Sequence, residues 1–262
     1  MARGFEEPDL GHDVWAGTSS THSVKMILGW AGSMKAEAYV VDVAQAFLHA
    51  PLPDDSPPVF VRAPKEYVFS DPSKTCWRLK KALYGLRGSP RAWQLCLHGV
   101  LEQEGWTCSQ VDSCVYYKEG VAISVHVDDI LMCGESTRVR AAVARIQQLF
   151  QTSCVKVGKE VVKFLGRDLS QQDDGTFVFG VGADYVRASL TSLGLEDLQP
   201  VLRMPKWNGQ DPNELPALCA VRQSWFRSAV GRLAWLDRPD VRSATIRLSA
   251  RRGRATAVCE QN

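Results

Sequence analysis

Two adjacent aspartates lie between two apolar runs, and this arrangement constrains the fold more than any other feature of the chain. Residues 121–127 form an apolar run before Asp128 and Asp129, and a second run, residues 130–134, follows them at once. Short apolar runs are typical of buried strands, and no residues remain between these two for a longer loop. The sequence therefore predicts a tight hairpin with both carboxylates at its tip.

The aspartate pair has two interpretations. Aspartate is common in turns because its side chain hydrogen-bonds to nearby backbone, so a turn alone explains the pair. Two carboxylates held this close also repel each other, which raises a pKa or requires a cation. Asp42 adds a third acid within the apolar residues 38–44, where an unpaired charge would be costly. If the two strands are neighbours, the three carboxylates meet at one sheet edge and offer hard oxygen ligands to divalent metal ions.

Four motifs along the chain occur in an order that is typical of one family. They are Asp42-Val-Ala-Gln-Ala-Phe47, Leu83-Tyr-Gly-Leu-Arg-Gly-Ser-Pro-Arg-Ala-Trp93, His126-Val-Asp-Asp129 and Phe164-Leu-Gly166. In this order they resemble the reverse transcriptase domain of Ty1/copia-type retrotransposon Pol polyproteins. The likeness extends from Ala2-Arg-Gly-Phe5 to Phe226-Arg-Ser-Ala-Val-Gly231 and Arg238-Pro-Asp240, and it covers nearly the whole chain.

Composition is compatible with this resemblance but does not indicate it. A chain of 262 residues with 45% hydrophobic and 23% charged residues is typical of a globular protein. The net charge is only +2, so any site for a polyanion must come from local clustering. None of the eight cysteines forms a C-x-x-C pair, so we expect reduced thiols in an intracellular protein. We see no signal peptide and no long apolar run, and expect neither secretion nor membrane insertion.

The order of helical and strand patterns predicts an α+β fold. Helical periodicity runs from Ser23 to Ala31, Ser89 to Gly105, Ser136 to Phe150, Asp184 to Leu195 and Ala220 to Leu236. Ser89 is expected to be an N-cap and Pro90 a first-turn residue. Asp173-Asp-Gly175 predicts a further hairpin. The resemblance implies a polymerase palm-like antiparallel sheet with helices packed on one face, partial fingers and a thumb- or connection-like C-terminal part.

The resemblance also divides the chain. Residues 1–204 are expected to form the reverse transcriptase domain, with partial fingers, palm and primer-grip region. Residues 205–262 are expected to form a linker and a helical connection-like segment, because residues 205–216 are polar and rich in turn residues. The family's basic fingers residues lie upstream of the Ala2-Arg-Gly-Phe5 motif, and no acidic RNase H cluster follows Asp240. We therefore expect a chain truncated at both ends relative to the family.

The activity implied by the resemblance is that of an RNA-directed DNA polymerase that uses two-metal nucleotidyl transfer. Two Mg²⁺ or Mn²⁺ ions roughly 3.5–4 Å apart activate the primer hydroxyl and neutralise the triphosphate. Asp42 and Asp128 are implied as bridging ligands, Asp129 completes the acidic cluster, and the carbonyl oxygen of Val43 adds a ligand. The implied partners are an RNA or DNA template-primer and deoxynucleoside triphosphates. The implied location is the cytoplasm, or a virus-like particle in an active element.

Further residues receive roles from the same resemblance. Phe47 corresponds to a bulky residue that excludes a ribose 2′-hydroxyl, and a plain core phenylalanine is the alternative. Tyr84 and Gly85 are implied in nucleotide binding, and residues 83–93 would lie under the template and the nascent pair. Template and primer contacts are implied for Arg87, Gly88, Pro90, Arg91, His126, Phe164, Leu165 and Gly166, the last three resembling the primer grip.

The roles of His126 and of a basic cluster each have two interpretations. His126 stands where the family commonly has tyrosine, so we expect altered rather than absent function, or else a hairpin histidine without a role. The cluster of Arg78, Lys80 and Lys81 adds positive charge near the template motif, or it is merely an exposed strand edge.

The sequence also leaves open the proton donor and the activity. Lys156, Lys159 and Lys163 are alternative donors to the leaving pyrophosphate. The chain is either a polymerase domain, competent or nearly so once joined to its missing pieces, or a catalytically inactive retrotransposon remnant. Such a remnant would keep the fold and weak nucleic-acid binding.

Overall fold

The structure is a computed structural model that describes residues 14–52, 57–64, 66, 67, 75–197, 219–238, 245, 246 and 249. The Ala2-Arg-Gly-Phe5 segment, the linker of residues 205–216 and Asp240 lie outside these described residues. The chain divides into two compact units. One comprises residues 1–165 and 169–178, and the other comprises residues 166–168 and 179–262.

The first unit is built on a six-stranded antiparallel sheet. Its strands, with those of a small separate hairpin, are β1 (Glu37–Val43), β2 (Phe60–Arg62), β3 (Cys76–Arg78), β4 (Thr107–Cys108), β5 (Val115–Lys118), β6 (Val121–His126), β7 (Asp129–Gly134) and β8 (Thr152–Lys156). The order across the main sheet is β4-β5-β6-β7-β1-β8, and β2 pairs only with β3 among the described strands. The helices are α1 (Thr21–Ser33), α2 (Ser89–Gln103) and α3 (Ser136–Leu149), with a short 3-10 helix at Ala46–His49.

Helices lie on both faces of the main sheet, which corrects the expectation of helices on one face only. The side chains of Val41 and Ile130 join those of α2 and α3 in one large core. The alternate residues, such as Val40 and Leu131, are also buried, and α1 packs against β6 and β7 without belonging to that core. Because successive strand residues point to opposite faces, α1 covers the second face. The unbroken apolar runs of β1 and β7 reflect this burial on both sides.

Local chemistry explains where the helices begin. Ser20 is the N-cap of α1, and its hydroxyl accepts a hydrogen bond from the Ser23 amide at 3.0 Å. The N-cap of α2 is Gly88, so the prediction of Ser89 in that role is wrong by one position. The Ser89 hydroxyl instead donates to the Leu83 carbonyl at 2.7 Å and accepts from the Leu83 amide at 3.1 Å. These two bonds close the loop before α2.

The C-terminal part of the described chain contains a second sheet and two helices. The strands β9 (Val162–Phe164), β10 (Arg167–Gln171) and β11 (Phe177–Gly180) have the order β11-β10-β9, and α4 (Ala183–Leu193) and α5 (Ala220–Leu236) follow. The predicted turn at residues 173–175 is confirmed, since the Gln172 amide donates to the Thr176 carbonyl at 2.8 Å and Gly175 has φ +92°. The mixed α and β architecture on an antiparallel sheet is confirmed. None of the described helices is long and apolar enough to cross a membrane.

Candidate active site

The predicted hairpin is present, and neighbouring elements hold its turn from two sides. His126 pairs with Asp129, so the turn consists of Val127 and Asp128 alone, with Val127 in the left-handed region at φ 59°. The indole nitrogen of Trp93 in α2 donates to the Val127 carbonyl at 2.7 Å. The amide of Val43 donates to the Asp128 carbonyl at 2.9 Å. The position of the turn is therefore fixed relative to both β1 and α2.

The same pairing brings the three predicted carboxylates together. Asp42 is the direct partner of Asp129 across β1 and β7. Directly opposed residues point to the same face, with Cβ atoms about 4.5–5.5 Å apart. Asp42 is exposed, while Asp128 and Asp129 are half-buried. Asp42 thus avoids the burial that its apolar neighbours led us to expect, because it lies near the C-terminal end of β1.

The neighbouring acids shift the pKa of Asp129. Burial raises the pKa of Asp129, and the negative charges of Asp128 and Asp42 raise it further. His126, on the other side of Asp129 in the sheet, opposes this shift. The Nδ1 atom of His126 is buried and has no hydrogen-bond partner among the described residues. A cation at this position would relieve the repulsion between the carboxylates.

The donor set fits divalent metal ions in its chemistry. Three carboxylates from two neighbouring strands and their turn are the hard oxygen ligands that Mg²⁺ and Mn²⁺ take. Within the part of the chain that the structure describes, no three His, Cys, Asp or Glu side chains are already arranged around a single point for one ion. Binding would therefore require the carboxylates to reorient, and the exposed side chain of Asp42 has room to do so.

Two aromatic residues predicted to bind the nucleotide lie beside this cluster. The rings of Phe47, in the 3-10 helix after β1, and Tyr84 have centroids 4.6 Å apart. Burial raises the pKa of the Tyr84 hydroxyl, and the charges of Asp128 and Asp42 raise it further. Phe47 is only partly buried and packs at the margin of the core. The structure thus brings Phe47 and Tyr84 to the acidic residues.

The residues of the template motif follow Tyr84 directly. Gly85 has φ +96°, a conformation that a residue with a side chain would adopt only with strain. Arg87 is exposed, and a guanidinium nitrogen of Arg91 donates to the Gln94 side chain at 3.3 Å. At Gly88 an added Cβ would meet no other atom within 4 Å. Pro90 lies in the first turn of α2, as predicted.

The predicted primer-grip residues form a separate tight hairpin. Phe164 is buried at the end of β9, and Leu165 and Gly166 have φ values of 50° and 70°. In the second unit, an added Cβ at Gly166 would lie 3.3 Å from the ring of Trp235. This close packing, as well as the positive φ, accounts for glycine at that position.

Two of the three lysines considered as proton donors bind carboxylates elsewhere. The ammonium group of Lys156 lies 2.6 Å from Glu37, which is at the opposite end of β1 from Asp42. The ammonium group of Lys159 lies 2.7 Å from Asp173. Lys163 is exposed in β9. The choice among the three lysines stays open.

Two residues that stabilise the structure near the predicted motifs, Trp93 and Arg167, were not predicted to do so. The sequence places Trp93 only in a motif, yet its indole nitrogen donates to the turn of the hairpin that carries Asp128 and Asp129. Arg167 is buried in the second unit, where its guanidinium lies 4.8 Å from the Trp235 ring and donates to the Trp235 carbonyl at 3.0 Å. An arginine directly after the Phe164-Leu-Gly166 motif was the available signal.

Known proteins resemble this chain over most of its length. The retrovirus-related Pol polyprotein from transposon RE1 of Arabidopsis thaliana is 28% identical over 268 residues, which cover 95% of this chain and 17% of that protein. The transposon Ty1-BR Gag-Pol polyprotein of Saccharomyces cerevisiae is 24% identical over 219 residues, covering 79% of this chain and 11% of that protein. The chain thus spans a small part of the length of these relatives.

A solved structure of telomerase from Candida albicans is also similar, with a TM-score of 0.33 and 10% identity over 70% of this chain and 40% of that chain. The sequence profile of the family described as reverse transcriptase (RNA-dependent DNA polymerase) matches residues 2–205. This match includes all the motifs that surround the paired carboxylates. The chain therefore belongs to the reverse transcriptase family, and its relatives are Pol polyproteins of the Ty1/copia type.

Proposed function

We propose that this domain extends a DNA primer on an RNA template, using deoxynucleoside triphosphates and two divalent metal ions. The observation that carries the proposal is the direct pairing of Asp42 with Asp129 beside the turn residue Asp128. Nucleotidyl transfer needs carboxylates that converge from separate strands, and this pairing supplies them. The six-stranded sheet with α2 and α3 would be the palm, and the β2–β3 hairpin a part of the fingers.

Asp42, Asp128 and Asp129, with the carbonyl oxygen of Val43, would hold two Mg²⁺ or Mn²⁺ ions. When bound, the ions would lower the pKa of the primer hydroxyl and neutralise charge on the triphosphate. The protein's own part is to present the carboxylates in one place. The hydrogen bonds from Trp93 and Val43 to the turn support this role, because they fix the hairpin against α2 and β1.

The residues around the acids would select and orient the nucleotide. The Phe47 ring, in tilted contact with Tyr84, would lie under the incoming sugar and exclude a 2′-hydroxyl by its bulk. The backbone at Gly85 would approach the nucleotide closely because no side chain intervenes. His126, cross-strand to Asp129, would pack against the primer terminus.

Template and primer would be held by the remaining motif residues. Arg87 and Arg91 would contact phosphates, and Gly88 and Pro90 would shape the backbone beneath the template. The hairpin of Phe164, Leu165 and Gly166 would act as the primer grip. The C-terminal helices α4 and α5 would serve as a thumb- or connection-like part.

Primer extension by the purified chain tests this proposal. A DNA primer on an RNA template, with deoxynucleotides and Mg²⁺, should be lengthened by the parent chain but not by Asp42→Asn or Asp128→Asn. Asp184→Asn is the matched control, because Asp184 is an exposed carboxylate that pairs with Arg187. Extension that survives Asp42→Asn would overturn the proposal. No extension by the parent chain, with the acidic site still binding metal, would favour an inactive remnant.

A further inference from the structure

One row of side chains crosses three strands of the main sheet at the acidic site. His126 of β6 is the direct partner of Asp129 in β7, and Asp129 is the direct partner of Asp42 in β1. Directly opposed residues point to the same face, with Cβ atoms about 4.5–5.5 Å apart. An imidazole and two carboxylates therefore lie side by side on one face, with Asp129 in the middle. This spacing allows His126 and Asp129 to bind the same ion.

The imidazole of His126 has a polar atom without a partner. The residue is half-buried, and its Nδ1 atom is buried and has no hydrogen-bond partner among the described residues. Buried polar groups are normally satisfied, so this nitrogen calls for an explanation. Ser124, two residues earlier on the same face, follows the rule, because its hydroxyl is hydrogen-bonded to that of Ser19. An ion bound by the imidazole nitrogen would give it the missing partner.

The pKa of Asp129 indicates that the imidazole lies close to the carboxylates. Burial raises this pKa, Asp128 and Asp42 raise it further, and His126 lowers it. Such an interaction weakens with distance, so the imidazole and the carboxylate are near each other across the two strands. A cation between His126 and Asp129 would offset the repulsion among the acids. The carboxylate that most needs a positive charge is therefore the one that the imidazole adjoins.

Nitrogen and oxygen donors favour different metal ions. Mg²⁺ is held by oxygen ligands, whereas first-row transition ions also accept imidazole nitrogen, with an affinity that rises from Mn²⁺ to Co²⁺. Carboxylates alone suit Mg²⁺ and Mn²⁺, but an added imidazole favours the transition ions. The family commonly has tyrosine at the position of His126, and a phenol stays protonated at neutral pH. The added nitrogen donor is therefore a property of this chain.

We propose that His126 is a nitrogen ligand of the metal site at the three clustered aspartates, and that it makes this site prefer Co²⁺ and Mn²⁺ to Mg²⁺. The inference rests on the proposed function, because it takes the aspartates to be the metal site. It concerns which ion the folded chain binds, and it requires neither nucleic acid nor turnover. Packing of His126 against a primer terminus would use the face of the ring, whereas a metal ion binds in the ring plane, so both roles are compatible.

Metal binding to the full chain, without nucleic acid, tests this inference. Isothermal titration calorimetry gives Kd values for Mg²⁺, Mn²⁺ and Co²⁺, and His126→Phe keeps a planar ring but removes both nitrogens. Loss of even an outer-shell partner costs about 10-fold to 100-fold in metal affinity, so this variant should bind Co²⁺ at least about 10-fold more weakly. Its affinity for Mg²⁺ should stay that of the parent, because Mg²⁺ is held by oxygen. His22→Phe, which removes an exposed imidazole from α1, is the control and should change no Kd.

Pulsed electron paramagnetic resonance of bound Mn²⁺ gives a second measurement that needs no substitution of His126. A coordinated imidazole nitrogen modulates the electron spin echo, and oxygen ligands do not produce this nitrogen modulation. The parent chain and His22→Phe should show the modulation, and His126→Phe should lose it. Bound Mn²⁺ without nitrogen modulation in the parent chain would overturn the inference. Equal Co²⁺ affinity of the parent and His126→Phe would also overturn it.

The two proposals fail in different ways. A parent chain that extends a primer but binds Mn²⁺ through oxygen alone would refute only this inference. A parent chain with nitrogen coordination that His126→Phe loses, yet without primer extension in Mg²⁺ or Mn²⁺, would refute only the proposed polymerase activity. Asp128→Asn should weaken the binding of all three ions. Unchanged Co²⁺ affinity in Asp128→Asn would overturn this inference, because the ion would then bind away from the aspartates.

Discussion

Asp42 and Asp129 are paired directly across β1 and β7, although they come from distant parts of the chain. The pairing sets two carboxylates on one face, and the adjoining turn adds Asp128. The pKa of Asp129 is raised by burial and by both neighbouring acids. The folded protein therefore holds together negative charges that would separate in the unfolded chain. The first two predictions follow from this repulsion.

Divalent metal should stabilise the parent chain. An ion that binds only the folded state adds stability by mass action, about 2.7 kcal/mol when its concentration is 100 times Kd. Thermal melts in millimolar Mn²⁺ should therefore shift upwards relative to melts in EDTA. Asp128→Asn should lose most of the shift, while Asp184→Asn should keep it. An equal Tm of the parent chain in Mn²⁺ and in EDTA would argue against an assembled metal site.

Asp129 should make the folded protein less stable as pH rises. Its folded pKa is above its unfolded value, so the folded state binds more protons between the two values and stability falls as pH rises through them. Urea unfolding in EDTA should show the Asp129→Asn variant to be more stable than the parent near neutral pH. The difference should shrink as pH falls below the folded pKa. A variant less stable than the parent at neutral pH would contradict this assignment.

Trp93→Phe should destabilise the hairpin that carries Asp128 and Asp129. Trp93 is 1% exposed, and phenylalanine cannot donate to the Val127 carbonyl. Loss of a hydrogen bond to this half-buried carbonyl costs about 0.5–1.5 kcal/mol, so urea unfolding should show a loss of this size. The Mn²⁺ stabilisation should also become weaker because the turn carrying Asp128 is less firmly held. Trp225→Phe, at a half-exposed position in α5, is the control and should change both quantities little.

Phe47→Val should relax sugar selection if the domain is active. The smaller side chain leaves space where the Phe47 ring now contacts Tyr84. Incorporation of ribonucleotides relative to deoxynucleotides should rise, as measured by single-nucleotide extension with each triphosphate. Phe177→Val, in β11, is the control for loss of a phenylalanine. An unchanged ratio would indicate that Phe47 is only a packing residue.

Arg167→Lys should destabilise the second unit. The planar guanidinium lies over Trp235 and bonds to its carbonyl, and an ammonium group reproduces the charge but not the stacked plane. A buried cation–π contact contributes about 2 kcal/mol, so urea unfolding monitored by tryptophan fluorescence should show a loss of this order. Arg187→Lys, at an exposed ion pair with Asp184, should have little effect. Equal effects of the two substitutions would argue that stacking is unimportant.

The sequence predicts the central hairpin because its signal is local. Two apolar runs with only polar residues between them allow no other connection, and α5 runs from Ala220 to Leu236 as expected. The roles of Phe47 and Tyr84 came from family resemblance, and the structure adds their contact and its nearness to the acids. These roles stay predictions until activity is measured.

Other features depend on contacts that no local pattern records. The apolar runs of β1 and β7 indicate burial but not what covers each face, so the position of α1 was missed. Ser89 looks like an N-cap, yet its hydroxyl bonds back to Leu83, a choice set by the preceding loop. Likewise, nothing near Trp93 in sequence indicates that its indole reaches Val127.

The burial of β1 on both faces has a consequence for how the sheet assembles. Sliding β1 by one residue against β7 would turn Asp42 towards α2 and α3. Its carboxylate would then enter the core that Val41 and Val43 now fill, at a cost of roughly several kcal/mol. A sheet with this shifted register would therefore be less stable than the native one. Asp42→Val would remove the penalty, and alternative pairings of β1 would become accessible to the folding chain.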